Sequence, residues 1–191
     1  MLCKEVEFKY RADSIKLTDF IEFAKSRGPV RYIEASGFDY FYDSPRDETG
    51  FYRMRIGPDM FQLTYKRKTT SQNNFVRDED NLDIQRVTTT KEQVEKHIGR
   101  HGYEFNRSIF KSCFVFKYDL YTLVYYVCYD TDMQELGRFI EIEMSEEHSW
   151  PNEQEAYNNL VVLEKLCKSI GLTPQARVKK SLFELYKKES K

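Results

Sequence analysis

Charged residues recur two positions apart in several short segments of the chain. The pairs are Glu5 and Glu7, Arg53 and Arg55, Lys66 and Lys68, Arg77 and Glu79, and Glu141 and Glu143. Because residues i and i+2 project to one side of a β-strand, each pair would share a face. Paired carboxylates supply the oxygen ligands that Mg²⁺ and Mn²⁺ prefer, and paired Arg and Lys side chains bind highly charged anions such as polyphosphates. The pattern indicates a metal ion and a phosphate-rich ligand.

A one-sided sheet with a solvated polar face would give the same alternation of charged and apolar residues. A solvated face usually intersperses charges of both signs, whereas two segments here carry only carboxylates and two carry only cations. Carboxylates on one strand repel each other unless a cation lies between them. If the sheet closes with these faces inward, its interior is a polar tunnel suited to a metal polyphosphate.

Apolar periodicity predicts the elements that would carry these faces. Alternation over residues 5–10 predicts a first strand, and further strands are predicted over 35–43, 51–57, 61–68, 75–84, 108–118, 120–130 and 137–144. Helices are predicted over 14–27, from a capping box at Thr90 and Gln93 to about Gly102, over 152–170 and over 178–188. Antiparallel strands with helices outside them are typical of an α+β domain.

Composition limits the classes of protein that the chain can belong to. Its 191 residues suit a single domain spanning 1–191, and a net charge of −1 argues against a broad basic surface for nucleic acid. It contains no uninterrupted apolar run of about 18 residues that predicts a membrane span and no apolar signal-peptide core after Met1. Four scattered cysteines predict reduced thiols. We therefore expect a cytoplasmic protein.

The segment Glu5-Val6-Glu7-Phe8-Lys9 resembles the ExExK signature of the CYTH superfamily, also called triphosphate tunnel metalloenzymes. Further segments follow in the order expected of that superfamily: DYFYD at 39–43, RMR at 53–55, LTYK at 63–66, RDE at 77–79 and LGRFIEIE at 136–143. The tail KSLFEL at 180–185 is similar to its closing basic-Ser-Tyr helix. The resemblance covers nearly the whole chain. It implies a closed eight-stranded antiparallel β tunnel with helices packed outside.

The resemblance also implies roles for individual residues. The implied metal ligands are Glu5, Glu7, Glu141 and Glu143, with Asp130 as a fifth ligand or, alternatively, a turn residue. The implied triphosphate contacts are Lys9, Arg53, Arg55, Lys66, Lys68, Arg77, Lys111 and Lys180. Glu79 is grouped with Glu5, Glu7 and Lys9 as catalytic, orienting Arg77 or a water, and its alternative role is a salt bridge. Two departures are Cys113, where relatives often have Arg, and Leu182, where they have Tyr.

An enzyme that uses Mg²⁺ or Mn²⁺ on a small-molecule triphosphate is the function that this resemblance implies. We expect a phosphohydrolase that removes the terminal phosphate of inorganic triphosphate, thiamine triphosphate or a nucleoside triphosphate, acting as a monomer or homodimer. A class IV adenylate cyclase, which converts ATP to cyclic AMP and pyrophosphate, is the alternative, favoured by the segments around Asp39 and Tyr65. A non-catalytic polyphosphate- or nucleotide-binding protein is a third hypothesis, and an RNA 5′ end is the one nucleic-acid ligand retained.

Overall fold

The computed structural model describes residues 2–67, 76–145 and 152–188. For residues 2–4, 47–48, 76–78 and 153 it describes the backbone only. Lys68, a predicted phosphate contact, lies outside the described residues, and for Arg77 only the backbone position is known.

Eight strands form a single antiparallel sheet in the described part of the chain. They are β1 (Leu2–Arg11), β2 (Arg31–Ser44), β3 (Asp47–Gly57), β4 (Met60–Arg67), β5 (Val76–Asp83), β6 (Glu104–Lys117), β7 (Tyr121–Tyr129) and β8 (Glu135–Met144). Every predicted strand is confirmed, and β2, β3 and β6 each extend four residues further toward the N-terminus than their patterns indicated.

The sheet curls so strongly that its order, β1-β5-β4-β3-β2-β6-β7-β8, returns to β1. Strand β1 pairs with β5 through residues 2–6 and with β8 through residues 7–11. In the described part of the chain, each residue of β1 therefore pairs with only one neighbouring strand, either β5 or β8. The eight-stranded antiparallel sheet is confirmed, and it is a curled sheet rather than a cylinder hydrogen-bonded all the way round.

Three of the four α-helices in the described part of the chain cover the outer, apolar face of the sheet. These are α1 (Leu17–Lys25), α2 (Lys91–Arg100) and α3 (Glu153–Cys167), and the fourth is α4 (Leu182–Tyr186). Helices α1 and α3 pack on β1, β7 and β8, for example through Phe20 and Leu160, whereas α2 places Val94 and Ile98 against β3 and β4. The predicted capping box of α2 is present, since Thr90 and Gln93 each bond the other's backbone N–H. No helix in the described part is long and apolar enough to cross a bilayer.

The C-terminal segment returns to the first strand before it forms a helix. Val178 donates its N–H to the Lys9 carbonyl at 2.7 Å, and Arg177 forms a β-bridge with Tyr10. Because this contact keeps the segment extended, the last helix begins at Leu182 and not at residue 178 as predicted. Leu182 and Phe183 then pack inside the sheet among aromatic residues and fill one end of its interior.

Candidate active site

The inward faces of the strands surround a cavity of about 1130 Å³. Most of the charged residues singled out by their spacing line it together. They are Glu5, Glu7, Lys9, Arg53, Arg55, Lys66, Glu79, Lys111, Glu141 and Glu143. The alternating charges therefore line the interior of the sheet.

One lysine on β1 joins carboxylates of two strands, and we call Glu7, Lys9 and Glu141 the Lys9 cluster. The Lys9 ammonium lies 3.3 Å from Glu7 Oε1 and 3.2 Å from Glu141 Oε1. The Tyr126 hydroxyl donates to the same Glu141 oxygen at 2.7 Å, and the Lys111 ammonium lies 3.8 Å from the centre of the Tyr126 ring. Burial alone would raise the pKa of Glu141, but the cations of Lys9 and Lys111 and the Tyr126 hydroxyl hold it below its ordinary value.

A second lysine, on β4, also lies between two carboxylates, and we call Glu5, Lys66 and Glu79 the Lys66 cluster. The Lys66 ammonium lies 3.1 Å from Glu5 Oε2 and also pairs with Glu79 Oε1. Burial raises the pKa of Glu79, and the nearby Glu5 carboxylate raises it further, although the Lys66 and Arg53 cations oppose the shift. The net shift is upward, so Glu79 holds a proton more readily than an ordinary glutamate.

Asp39 on β2 forms the third buried ionic contact of the cavity. Its two carboxylate oxygens accept from Arg55 Nε at 2.6 Å and Nη2 at 2.8 Å, and the residue is only 2% exposed. Burial would raise the pKa of Asp39, but the Arg55 guanidinium beside it and the Arg53 and Lys111 cations hold it well below its usual range. Asp39 thus orients the planar guanidinium group of Arg55.

Arg53 retains hydrogen-bonding capacity inside the cavity. Its Nη2 donates to Thr64 Oγ1 at 3.1 Å, but its buried Nε has no hydrogen-bond partner among the described residues. An unpaired donor on a cation is costly to bury unless an acceptor binds it. The Arg53 guanidinium is therefore not fully satisfied by the protein atoms around it.

Three of the remaining predicted residues have a defined place, and only Glu143 lies in the cavity. Glu143 lies opposite Glu7 in the register of β1 and β8. The Asp130 carboxylate instead accepts from the backbone N–H groups of Asp132 and Gln134, each at 2.9 Å, in the β7–β8 turn, and it does not line the cavity. Lys180 is exposed and is not among the lining residues, although the adjacent Ser181 is. The turn alternative for Asp130 agrees with this geometry.

The donor chemistry of the cavity fits a hard divalent cation. The glutamates of β1 and β8 supply only oxygen ligands, and Glu7 and Glu143 are direct cross-strand partners. As the side chains lie, no three His, Cys, Asp or Glu residues of the described part converge on one point, because Lys9 and Lys66 occupy the spaces between carboxylates. In the described part of the chain these carboxylates are engaged by lysines and do not form a preassembled metal site.

Asp39 is the residue that the sequence argument missed as a functional side chain, since it entered only as part of a motif. The available signal was an acidic residue among the aromatic residues Phe38, Tyr40 and Phe41, at a position of the strand that alternation directs inward. Tyr126, which bonds Glu141, carried no such signal because it belongs to an aromatic run.

Solved structures of several proteins share this fold. A conserved hypothetical protein from Pyrococcus furiosus is 24% identical, with a TM-score of 0.71 over 95% of this chain and 99% of that one. A protein from Vibrio parahaemolyticus, proposed to be an adenylate cyclase, is 17% identical with a TM-score of 0.67 over 95% and 96% of the two chains. A proposed adenylyl cyclase from Hippeastrum, HpAC1, with a dominant triphosphatase activity, is 15% identical with a TM-score of 0.59 over 96% and 94%.

No protein-family model matches the chain, and no curated protein matches it by sequence. TM-scores of this size at identities below 25% establish a shared fold and leave the chemistry to be argued from the residues. At the level of fold, the likeness that the motifs indicated is confirmed.

Proposed function

We propose that the chain is a divalent-metal-dependent phosphohydrolase that removes the terminal phosphate of a triphosphate inside its curled sheet. The observation that carries the proposal is the meeting, in one cavity, of five predicted phosphate contacts with the glutamates of β1 and β8; these contacts are Lys9, Arg53, Arg55, Lys66 and Lys111. The buried Arg53 Nε, which has no hydrogen-bond partner among the described residues, adds a donor suited to a phosphate oxygen.

The cations bind and extend the triphosphate. Arg55, held by Asp39, presents its guanidinium in a fixed direction, and Arg53 and Lys111 contribute further positive charge on β3 and β6. Lys9 and Lys66 exchange their glutamates for phosphate oxygens when the ligand enters, because the triphosphate brings several negative charges close to them. This exchange releases the carboxylates of Glu5, Glu7 and Glu141, which with Glu143 would hold Mg²⁺ or Mn²⁺.

A divalent ion held there would neutralise charge on the phosphates and polarise the scissile phosphate. Glu79 orients the attacking water by hydrogen bonding, a role that suits a carboxyl group with a raised pKa. The water oxygen forms a bond to the terminal phosphorus, the bond from that phosphorus to the bridging oxygen breaks, and both water protons leave on the orthophosphate product. The leaving group is the diphosphate end of the substrate, whose charge the cationic side chains stabilise.

Product analysis tests this proposal. The purified chain is incubated with inorganic triphosphate, thiamine triphosphate or ATP, each with Mg²⁺ or Mn²⁺, and the products are separated by ion-exchange chromatography. We expect orthophosphate from at least one substrate and complete loss of turnover in excess chelator, restored by adding the metal back. Turnover that persists undiminished in chelator would refute the metal-dependent mechanism.

The class IV cyclase reaction is a second candidate because the cavity is large enough for a nucleoside as well as a triphosphate. In that reaction the ribose 3′-oxygen attacks the α-phosphorus and pyrophosphate leaves. The ATP arm of the same experiment separates the candidates, since cyclisation yields cyclic AMP and pyrophosphate whereas hydrolysis yields ADP and orthophosphate. Binding of triphosphate without any product would favour the non-catalytic alternative.

A further inference from the structure

One wall of the cavity is apolar, although the rest of it is densely charged. Ile33 on β2 is paired with Val115 on β6, and Val115 is paired with Val124 on β7. All three side chains line the cavity. They form a continuous row across three strands, which we call the apolar shelf.

The packing of the outer face of the sheet shows that the side chains of Ile33 and Val115 point inward. Tyr32 and Phe116, the residues next to Ile33 and Val115 in the chain, are also cross-strand partners, and their rings lie 4.6 Å apart on the outer face. Because side chains alternate along a strand, Ile33 and Val115 must point to the interior. In the described part of the chain, Ile33 and Val115 belong to no apolar core cluster, whereas the partly buried Val124 lines the cavity and also packs against the inner cluster that contains Tyr126 and Phe139. The shelf therefore presents apolar surface to the cavity.

The position of the shelf relates it directly to the proposed phosphate site. Along β6 the inward residues run from Lys111 through Cys113 to Val115, and Lys117 follows at the mouth. Across the sheet, Val124 is the partner of Glu141. Any group attached to a triphosphate that the charged residues hold would therefore lie against the apolar shelf.

We propose that the apolar shelf binds a heteroaromatic group attached to the triphosphate, so that the substrate is an organic triphosphate and not inorganic triphosphate. This inference rests on the proposed triphosphate site. Inorganic triphosphate has no apolar surface to cover the shelf, whereas the flat face of a heteroaromatic ring removes it from water. Nucleoside triphosphates and thiamine triphosphate share this chemistry.

Binding of non-hydrolysable analogues tests the shelf independently of turnover. Calorimetric titration compares AMP-PNP, which carries a heteroaromatic group, with imidotriphosphate, which carries none. We expect the wild-type protein to bind AMP-PNP at least tenfold more tightly, and the double variant Val115→Thr/Val124→Thr to lose about tenfold in AMP-PNP affinity alone, since each substitution replaces an apolar methyl by a hydroxyl of similar size.

The matched control is Val127→Thr, which makes the same change on the outward face of β7, where Val127 packs against the outer core. It should leave both affinities unchanged, and thermal melting verifies that each variant is folded. Equal wild-type affinity for the two analogues, or a parallel loss of both in the double variant, would overturn the shelf.

Turnover separates this inference from the hydrolase proposal. Efficient hydrolysis of inorganic triphosphate together with equal analogue affinities would overturn the shelf and support the hydrolase. A retained preference for AMP-PNP, lost in the double variant, would support the shelf even if no triphosphate is hydrolysed. The values of kcat/KM for ATP and thiamine triphosphate then distinguish the two sources of the heteroaromatic group.

Discussion

The Lys9 and Lys66 clusters have the same composition, one lysine between two glutamates. The pKa of Glu141 in the first cluster and that of Glu79 in the second nevertheless shift in opposite directions. In the Lys9 cluster the pKa of Glu141 lies below its ordinary value, despite burial that would raise it. In the Lys66 cluster burial and the neighbouring Glu5 carboxylate raise the pKa of Glu79. The lysine is common to both, so it cannot explain the difference.

The surroundings of each glutamate explain it. Each glutamate has a second cation nearby, Lys111 for Glu141 and Arg53 for Glu79, but Glu141 accepts a hydrogen bond from the Tyr126 hydroxyl whereas Glu79 shares a hydrogen bond with the Glu5 carboxyl group. The groups around a lysine–glutamate contact thus decide whether the pKa of its carboxyl group falls or rises. The following predictions test this contrast.

Glutamine substitutions should separate the two clusters most strongly. A carboxamide resembles a protonated carboxyl group, so it should replace Glu79 better than Glu141. We expect Glu141→Gln to lower kcat/KM for the preferred triphosphate by at least about 100-fold, and Glu79→Gln to lower it by only about tenfold. Circular dichroism verifies that both variants fold. Equal losses would show that the two clusters do not differ in ionisation.

The Asp39–Arg55 pair tests the same principle where one cation faces one carboxylate. Asp39→Asn leaves the half-buried Arg55 guanidinium without its counter-ion and should lower the free energy of unfolding by about 2 kcal/mol near neutral pH, or roughly 4–8 °C in Tm. Because the folded-state pKa of Asp39 is depressed, its contribution is complete above the unfolded-state value of about 4 and is lost as the pH falls below it.

Urea unfolding of wild type and Asp39→Asn between pH 3 and 7 measures this dependence. The gap between the two proteins should be widest near neutral pH and should narrow below about pH 4. A gap that stays constant down to pH 3 would mean that Asp39 stabilises the fold by its shape and not by its charge.

Arg53 is a cation near Glu79, and its buried Nε has no hydrogen-bond partner in the described part of the chain. It therefore relates the Lys66 cluster to the proposed binding of triphosphate. We expect Arg53→Ala to lower kcat/KM by about tenfold, equivalent to about 1.4 kcal/mol of transition-state stabilisation. The matched control is Arg46→Ala, which removes an exposed arginine from the β2–β3 turn. If both variants retain wild-type rates, Arg53 does not contact the triphosphate.

Cys113→Arg should give the smallest effect and would add a cation on the Lys111 side of the cavity. Cys113 lines the cavity two residues from Lys111, as its parity predicted, but it also packs against the apolar inner cluster. We expect about threefold tighter binding of imidotriphosphate, through a charge-assisted hydrogen bond. A lower Tm with unchanged affinity would show that the apolar contacts of Cys113 outweigh its access to phosphate.

Strand periodicity made most of the fold predictable from the sequence. The alternation around Glu5 and Glu141 depends only on neighbouring residues, and it gave the strands and their inward faces correctly. The last helix was predicted four residues too early because Arg177 and Val178 are held extended by β1, a contact between distant parts of the chain. Periodicity within one segment cannot report such a contact.

Site residues were predicted correctly where their position in a strand determines the direction of the side chain. They were not predicted correctly in loops, where strand alternation does not determine that direction. Lys111 and Glu143 follow from their strands, and both reach the cavity. Asp130 and Lys180 lie beyond the regular strands, where side-chain direction depends on turn geometry, and neither lines the cavity. Asp39 has the correct parity, but its role depends on Arg55, which only the pairing of β2 with β3 brings opposite it.

The dependence of β1 on distant partners affects how the protein folds during synthesis. Tyr10 bonds Glu164 across 154 positions of sequence, and β1 cannot pair with β8 until most of the chain has left the ribosome. Contacts of this range form slowly, and an apolar strand waiting for its partner invites aggregation. Glu5, Glu7 and Lys9 alternate with the apolar residues of β1, and charges in such positions oppose intermolecular strand pairing. We therefore expect the carboxylates and ammonium group that are proposed to meet a triphosphate to oppose aggregation of the nascent strand as well.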